Sequence, residues 1–297
     1  MKNALNYYYG LNIEIIHQKE KNYYFQVNNF SYLFLPYDNL DEISDIYKLN
    51  IFLKQSIPVH EIILNKSNAI VTNINGDNYI LLKILVPKAN IGINDIISLN
   101  NINIPIDKSK LRRDDWYNMW VQKIDYFEYQ VSQMGKKYPV IRESFNYYVG
   151  LAENAIILVK NTDPNNLNLG LSHRRIDNTS FELYNPLNLI IDVRIRDVCE
   201  YFKYCFFNNI DISNELDLFL TYNKLGRDEG RYFLARMLFP TYYFDLYEKI
   251  INDEIDEKEL NKIILKADKY EKVLQRIYLY FKSNDLNIEW LEATNLY

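Results

Sequence analysis

The sequence predicts an α+β protein whose first part, residues 1–86, is rich in β-structure and whose second part, residues 87–297, is mainly helical. Short runs of β-forming residues alternate with polar turns in the first part. Beyond residue 107, apolar residues recur mostly at helical spacing. The length of 297 residues is sufficient for one large domain or for two lobes with a real core.

The β-rich part is predicted to contain six strands and one helix. The strands cover residues 13–17, 23–27, 32–35, 61–64, 69–73 and 79–85. Polar segments that favour tight turns separate several of them, at residues 19–22, 28–31 and 75–77. The helix is predicted over residues 41–55, because a mostly apolar face recurs there at helical spacing.

The second part begins with a polar, asparagine-rich connection over residues 87–107. Asp114 or Asp115 can cap a helix that ends at Gly135. Further helices are predicted over residues 142–160, 197–207, 213–223, 228–238 and 256–281. The last of these begins with a capping-box-like pair, Asp256 and Glu259.

Composition limits the classes of function. The formal net charge of −5 gives no electrostatic reason to expect a nucleic acid partner. No apolar run reaches membrane-spanning length, and the first residues lack the apolar core of a signal peptide, so neither membrane insertion nor export is expected. The 27 tyrosines have two interpretations, a compositional bias of the whole chain or clusters for surface contacts and cross-linking.

The cysteines and histidines predict neither a disulfide nor a metal site. Cys199 and Cys205 lie six residues apart on a predicted helix, about 9 Å along its axis, which is too far for a bond within that helix. Reduced, buried thiols are therefore expected. The three histidines, His17, His60 and His173, have no Cys partner at metal-ligand spacing.

Residues 171–203 carry the most informative pattern, which resembles the catalytic and metal loops of aminoglycoside and choline kinase-like phosphotransferases. Those families have His-Gly-Asp, an Asn after four residues, a hairpin, and then Ile-Asp followed by Asp-Leu-Ala. In this chain His173 stands, but Arg175 occupies the position of the base and Ser180 that of the Asn. Asp192 follows an apolar strand, and Arg196-Asp197-Val198 matches the last element. The layout is kept, while the catalytic groups are replaced.

Each replacement weakens phosphoryl transfer, which needs a phosphate-binding lysine, two metal ligands and a residue that orients the acceptor. Arg175 stays protonated and cannot accept a proton, and Asp177 replaces it only if the register shifts. Ser180 alone is a poor metal ligand. Asp192 could hold Mg²⁺ weakly, but pairing with Arg175, Arg194 or Arg196, or capping of the next helix, is the simpler interpretation.

The lysine is also missing from its expected place. On the third predicted strand the matching position is Leu35, and Lys83 lies on a later strand, where a solvent-facing lysine is the simpler reading. His173 is interpreted as a structural loop histidine. Arg174 and Arg175 could bind an anion, since the planar guanidinium suits phosphate, although a salt-bridge role is the simpler alternative.

As a whole, the chain resembles the spore coat-associated proteins of the CotS/YutH type, and the YutH-like members most of all. Three segments carry the resemblance: residues 147–156, 171–175 and 191–201. It implies one bilobal, kinase-like domain with an aminoglycoside phosphotransferase-like fold, a small antiparallel β lobe and a large helical lobe. It also implies a place in the endospore coat or in its assembly.

The resulting expectation is a catalytically inactive, kinase-like structural or interaction protein of the coat. It would be made in the mother cell cytoplasm and would bind other spore coat proteins, without a cofactor. Two alternatives stay open. One is an active phosphotransferase that uses ATP and Mg²⁺ at a rearranged site around Asp177 and Asp192. The other is a nucleotide- or anion-binding module without turnover, with Arg174, Arg175 and Asp192 as candidate contacts.

Overall fold

The computed structural model describes residues 1–86, 89–104, 109–113, 115–282, 286 and 288–293. The chain forms two compact units. The first comprises Met1–Gly92, Ile104–Arg112 and His173–Ile191. The second comprises Ile93–Asn103, Arg113–Ser172 and Asp192–Tyr297.

The first unit is built on an antiparallel sheet of six strands. These are β1 (Ile16–Lys19), β2 (Asn22–Val27), β3 (Phe30–Pro36), β4 (Glu61–Ile63), β5 (Thr72–Ile74) and β6 (Asp77–Ile84). The spatial order is β1-β2-β3-β6-β4, and β5 also pairs with β6. Helix α1 (Lys2–Tyr9) precedes the sheet, and α2 (Ile43–Leu53) follows β3. The short helix α6 (Ser180–Leu183) belongs to the same unit.

Asparagine and glycine make the tight turns of this sheet possible. Asn28 and Asn29, which join β2 to β3, have φ values of 51° and 65°. Asn75 and Gly76, which join β5 to β6, have φ values of 55° and 95°. Such positive values suit the two-residue turns of hairpins, because Gly and Asn tolerate the left-handed region. The turns expected at residues 19–22, 28–31 and 75–77 are thereby confirmed.

Helix α1, which the sequence pattern did not indicate, packs against the sheet. Its Leu5 is fully buried in an apolar cluster with Ile13, Phe25, Phe34, Tyr79 and Leu81. Successive strand residues point to opposite faces, so Leu33 and Leu35 of β3 lie on the face opposite to Phe34. The first unit therefore has an apolar core between α1 and one face of its sheet. Leu5 of α1 completes this core.

The second unit is mainly helical. Its helices are α3 (Ile93–Asn100), α4 (Trp116–Met134), α5 (Pro139–Lys160), α7 (Arg196–Phe207), α8 (Ser213–Tyr222), α9 (Arg227–Leu238), α10 (Thr241–Ile251), α11 (Asn261–Ile264), α12 (Ala267–Phe281) and α13 (Glu289–Ala293). Helix α9 is central, since every residue from Gly230 to Leu238 is buried and the helix contacts α5, α7 and α12. Among the described helices, none is both long enough and apolar enough to span a bilayer.

A two-stranded sheet is made by β7 (Leu169–His173) and β8 (Leu189–Val193). All five residues of β8 are buried, which explains its continuous apolar sequence before Asp192. Three 3-10 turns complete the backbone, at Pro164–Asn166, Pro186–Asn188 and Glu257–Leu260.

The structure corrects two predicted elements. The polar connection expected over residues 87–107 contains α3, whose Ile93, Ile96 and Leu99 are buried at helical spacing; its residues 87, 88 and 105–107 lie outside the described part. The single helix expected over residues 256–281 is divided into a 3-10 turn, α11 and α12. Asp256 caps the 3-10 turn, where its side chain accepts a hydrogen bond from the Lys258 amide. Asp114, one of the two predicted caps of α4, also lies outside the described residues.

Candidate functional site

The loop that follows β7 is held in place by its own side chains. His173 is fully buried, and its Nε2 donates to the carbonyl oxygen of Leu183 at 2.9 Å. The Arg174 amide donates to the Asn188 carbonyl at 2.8 Å. Asn188 also receives the Arg175 amide at its Oδ1, at 3.1 Å, and donates from Nδ2 to the Arg175 carbonyl at 2.6 Å. His173 and Asn188 thus fix the backbone at the position of the kinase base.

The two loop arginines have different surroundings. Arg174 forms an ion pair with Glu42, which lies at the start of α2 and is 8% exposed. Arg175 has an exposed side chain, and its Nη1 donates to the Arg174 carbonyl at 3.3 Å. Arg174 is therefore engaged in an ion pair within the first unit, while the guanidinium of Arg175 lies at the surface.

Asp177 and Ser180 form hydrogen bonds that hold the same loop in place. Asp177 Oδ1 accepts hydrogen bonds from the amide and from the hydroxyl of Thr179, both at 2.7 Å. Ser180 is buried, its hydroxyl accepts from the Ala89 amide at 2.8 Å, and its own amide donates to the Ala89 carbonyl at 2.8 Å. Asp177 thus stabilises a turn, and Ser180 holds the start of α6 in place.

A cavity of about 730 Å³ lies against the sheet of the first unit. Its lining includes Glu14, His17, Tyr24, Tyr32 and Phe181, and it contains no Lys or Arg among the described residues. The ring of Phe181, on α6, lies 5.0 Å from the ring of the buried His60. Burial lowers the pKa of His60 to about 4, so this histidine is neutral at pH 7. Glu14 is the one acidic residue among the described residues that line the cavity.

The lysine positions considered from the sequence lie in the sheet. Leu35 pairs with Ile80 across β3 and β6 and carries no charge. Lys83 is on β6 and pairs with Tyr32 and Glu61 in the neighbouring strands. Its ammonium lies 3.5 Å from the centre of the Phe30 ring, a cation–π contact.

Asp192, at the end of β8, is fully buried in the second unit. The indole Nε1 of Trp116 donates to both carboxylate oxygens, at 2.9 Å to Oδ1 and 3.1 Å to Oδ2. The Val193 amide donates to Oδ1 at 2.6 Å. Arg196 completes the set with an ion pair, its Nε lying 3.1 Å from Oδ2. Two N–H groups, those of the Trp116 indole and the Val193 amide, thus donate to the carboxylate, and Arg196 adds a charge contact.

The charge state of Asp192 reflects two opposing effects. Burial raises the pKa of Asp192 to about 6, against the lowering influence of Arg196, of Arg236 and of the Trp116 bond. The carboxylate is therefore mainly ionised at pH 7, and the cations that neutralise it are arginines of the same unit.

Asp192 is part of a larger buried network of charges. Arg196 Nη1 donates to Asp197 at 3.2 Å. Glu200, one helical turn further along α7, accepts from Lys203 at 2.9 Å and from Thr241 at 2.9 Å, and it pairs with Arg236. Burial alone would raise the pKa of Glu200, but Lys203 and Arg236 together hold it well below its usual range.

Three carboxylates and three cations thus balance each other in this network: Asp192, Asp197, Glu200, Arg196, Lys203 and Arg236. The Arg236 guanidinium also lies over the Trp116 ring, 4.4 Å from its centre, and 5.3 Å from that of Trp120. Within the described residues, no group of three or more His, Cys, Asp and Glu side chains is placed to hold a metal ion.

Only part of this network could be located from the sequence. Of the three arginines considered for Asp192, it is Arg196 that forms the ion pair, four residues later on the next helix. That spacing is visible in the sequence. Trp116 and Arg236 are 76 and 44 positions away in the chain, and no local pattern connects them with Asp192. The indole of Trp116 is nevertheless the donor that contacts both oxygens.

Comparison with known proteins identifies the family of this chain. The family described as "Spore coat putative kinase YutH" matches residues 2–277. The chain belongs to the spore coat YutH family. The endospore coat-associated protein YutH of Bacillus subtilis (strain 168) is 26% identical over 310 aligned residues, which cover 92% of this chain and 91% of that protein.

Solved structures establish the fold. An aminoglycoside phosphotransferase from Alicyclobacillus acidocaldarius superposes with a TM-score of 0.69 at 13% identity, over 95% of this chain and 97% of that one. Choline kinase LicA from Streptococcus pneumoniae gives a TM-score of 0.52 at 12% identity, over 95% and 97%. The predicted α+β, aminoglycoside phosphotransferase-like fold is confirmed for this YutH family member, while identities this low show the fold alone.

Proposed function

We propose that this protein is a catalytically inactive, kinase-like component of the endospore coat with a structural or interaction role. One observation carries the proposal, namely that the carboxylate at the metal position, Asp192, is buried and already paired with protein groups. Mg²⁺ in phosphotransferases is held by carboxylate oxygens together with substrate phosphates. A buried carboxylate that is bonded to the indole of Trp116 and the amide of Val193 and paired with Arg196 would have to give up these partners to bind a metal ion.

The acceptor side of the reaction supports the same conclusion. A general base must be able to take a proton, and Arg175 stays protonated at any physiological pH. Asp177, the replacement considered above, has Oδ1 engaged by Thr179 at 2.7 Å. The two acids of the rearranged active site, Asp177 and Asp192, are thus both bonded to other groups of the chain, which does not support that alternative.

The cavity of the first unit is also unsuited to a nucleotide triphosphate. A triphosphate is strongly anionic and is normally bound by cations or by clustered backbone amides. Among its described lining residues this cavity has the acidic Glu14 and no Lys or Arg, and Lys83 lies over the Phe30 ring. The electrostatics favour a site without ATP.

The proposed location and partners follow from the family. The Bacillus subtilis relative is an endospore coat-associated protein. We propose that this chain is made in the mother cell cytoplasm and joins the coat through contacts with other coat proteins. Among the described residues, nineteen large apolar side chains are exposed, seven of them tyrosines, which provides aromatic surface for such contacts.

A phosphotransfer assay tests the inactivity. Purified wild-type protein and Asp192→Asn would be incubated with ATP, Mg²⁺ and a broad panel of hydroxylated acceptors, with an aminoglycoside kinase as positive control. We expect acceptor-dependent ADP release to be at background in both. ADP release by the wild type that disappears in Asp192→Asn would contradict the proposal and favour the active phosphotransferase with a rearranged site.

Localisation tests the structural role separately. Fluorescent fusions of the wild type and Asp192→Ala would be followed during sporulation, and circular dichroism of the purified variant would establish that it folds. We expect both fusions to reach the coat and to stay there. Failure of a folded Asp192→Ala variant to localise would show that this site does more than support the fold.

A further inference from the structure

A second cavity, of about 180 Å³, lies wholly within the second unit, against α3, α7, α8 and the start of α9. Four asparagines, Asn100, Asn101, Asn168 and Asn223, line it together with Arg194 and Glu229. None of these residues belongs to the kinase-like loop that runs from His173 to Ser180. The five remaining lining side chains are apolar, Phe219 among them.

One wall of this cavity contains a buried acceptor with no partner. Asn100 is only 2% exposed, and its Nδ2 donates to the Arg194 carbonyl at 2.6 Å. Within the described residues its Oδ1 receives no hydrogen bond. Buried polar atoms in folded proteins are almost always satisfied, so this oxygen is available to accept from a donor outside the chain, either water or a ligand hydroxyl.

The other polar groups define what that molecule must offer. Asn168 and Asn223 use their amide nitrogens on Glu229, at 3.0 Å, and on the Phe219 carbonyl, at 3.1 Å, which leaves their carbonyl oxygens as acceptors. Arg194 and Asn101 supply N–H donors, and they contact each other weakly at 3.4 Å. The wall thus presents acceptors and donors side by side, a pattern that hydroxyl groups match because each of them both donates and accepts.

The charge and the size of the cavity narrow the class of ligand further. Arg194 and Glu229 form no ion pair with any residue of the described part, and their opposite charges cancel across the lining, so neither an anion nor a cation is favoured overall. The volume equals roughly six water molecules at about 30 Å³ each, which is enough for one small ring but not for an oligosaccharide or a nucleotide. The apolar wall can take the C–H face of such a ring.

We propose that this cavity binds a neutral polyhydroxylated molecule of monosaccharide size. Asn100, Asn168 and Asn223 accept from its hydroxyl groups, Arg194 and Asn101 donate to them, and Phe219 packs against its carbon skeleton. This site is independent of the question of phosphotransfer, since it uses none of the vestigial catalytic positions.

Saturation-transfer NMR and calorimetry on the full chain test the proposal with three neutral probes, myo-inositol, glucose and N-acetylglucosamine. L-alanine and inorganic phosphate serve as zwitterionic and anionic comparisons. We expect saturable binding of at least one neutral probe and no competition from alanine or phosphate. Binding of none of the neutral probes, or of alanine or phosphate alone, would overturn the proposal and leave a water-filled cavity or a charged-ligand site.

The chain offers a matched pair of variants. Asn223 and Asn208 both end a helix, and both donate from Nδ2 to the carbonyl four residues earlier, at 3.1 and 2.8 Å. Only Asn223 lines the cavity. We expect Asn223→Ala to weaken probe binding about fivefold, the factor for one lost neutral hydrogen bond, while Asn208→Ala leaves it unchanged. Equal effects of the two variants would contradict the assignment of the site, whereas Asn101→Ala should repeat the effect of Asn223→Ala.

Discussion

At position 192 a carboxylate can serve either a metal ion or an arginine, and the neighbouring side chains decide between them. In this protein a tryptophan and an arginine surround it. Arg196 brings a fixed positive charge, and Trp116 brings a donor that contacts both oxygens. Under the proposed function, internal cations take the place of a metal ion beside this acid, which gives the acid a structural reason to be present.

The raised pKa of Asp192 predicts a specific pH dependence of stability. The folded pKa of about 6 exceeds the ordinary value of 3.8, so between these values the folded state binds more protons than the unfolded state. The wild type should therefore lose roughly 3 kcal/mol of stability relative to Asp192→Asn as pH rises from 4 to 7, with most of the change between 4 and 6. Urea unfolding of both proteins at matched pH values measures this difference.

The comparison with Asp192→Asn removes the titration of all other groups, including Glu200, whose lowered pKa acts in the opposite direction. A difference between the two proteins that stays constant from pH 4 to 7 would mean that Asp192 has an ordinary pKa. A difference that changes in favour of the wild type as pH rises would mean that its arginine partners dominate over burial.

Glu200 is the carboxylate that two buried cations, Lys203 and Arg236, share. Removing its charge with Glu200→Gln leaves Lys203 and Arg236 without their shared carboxylate, and we expect a loss of about 3–5 kcal/mol in the free energy of unfolding at pH 7. Glu259→Gln is the control, because its ion pair with Lys262 is exposed and should contribute less than about 1 kcal/mol. Similar small losses for both would show that the buried network adds little to stability.

At the scale of elements, the hairpins show how strongly a turn depends on one residue. Gly76 has a φ of 95° and Gly150 lies inside α5, and a Cβ added at either would meet nothing within 4 Å. The space is equal, so only backbone conformation differs. We expect Gly76→Ala to destabilise the protein by about 1–2 kcal/mol and Gly150→Ala to stabilise it by about 0.5–1 kcal/mol.

Urea unfolding followed by circular dichroism separates these two variants. Opposite signs support the conformational explanation. A stabilising effect of Gly76→Ala would mean that the β5–β6 turn relaxes without strain, and a destabilising effect of Gly150→Ala would mean that α5 contacts a neighbour at this position.

The elements that sequence predicted well are those with local signals. The hairpin turns carry Asn and Gly where positive φ is required, and α4, α5 and α9 carry clear helical spacing. Helices α1 and α3 were missed because their sequences are short and mix apolar residues with Asn and Tyr. What makes them helices is tertiary, the burial of Leu5 in α1 and of Ile96 and Leu99 in α3.

The same limit applies to the candidate site. The sequence resemblance places Arg175 and Leu35 at the positions of the base and of the lysine, and the loss of both groups stays a prediction. The engagement of Asp192 by Trp116, the pairing of Arg174 with Glu42 and the anchoring of Ser180 by Ala89 could not be predicted. Each of these contacts joins residues more than 70 positions apart, and a single sequence contains no signal of which distant donor meets which acceptor.

For the whole molecule, the balance of internal charges has a direct consequence for ligands. Positive charge next to Asp192 and Glu200 comes from Arg196, Lys203 and Arg236, which are part of the chain. In an active phosphotransferase, the corresponding carboxylate binds Mg²⁺, which also neutralises the phosphates of the nucleotide. The stability of this protein should therefore not depend on either ligand.

Thermal unfolding tests this independence. We expect the same Tm in EDTA, in Mg²⁺, and in ATP or ADP with or without Mg²⁺, each at millimolar concentration. A nucleotide present at 100 times its Kd would add about 2.7 kcal/mol of stability, a shift that is easily detected. An aminoglycoside kinase treated in parallel should show such a shift. Stabilisation by nucleotide without turnover would favour the binding module over the structural role, and its loss in Arg175→Ala would identify the loop arginine as the phosphate contact.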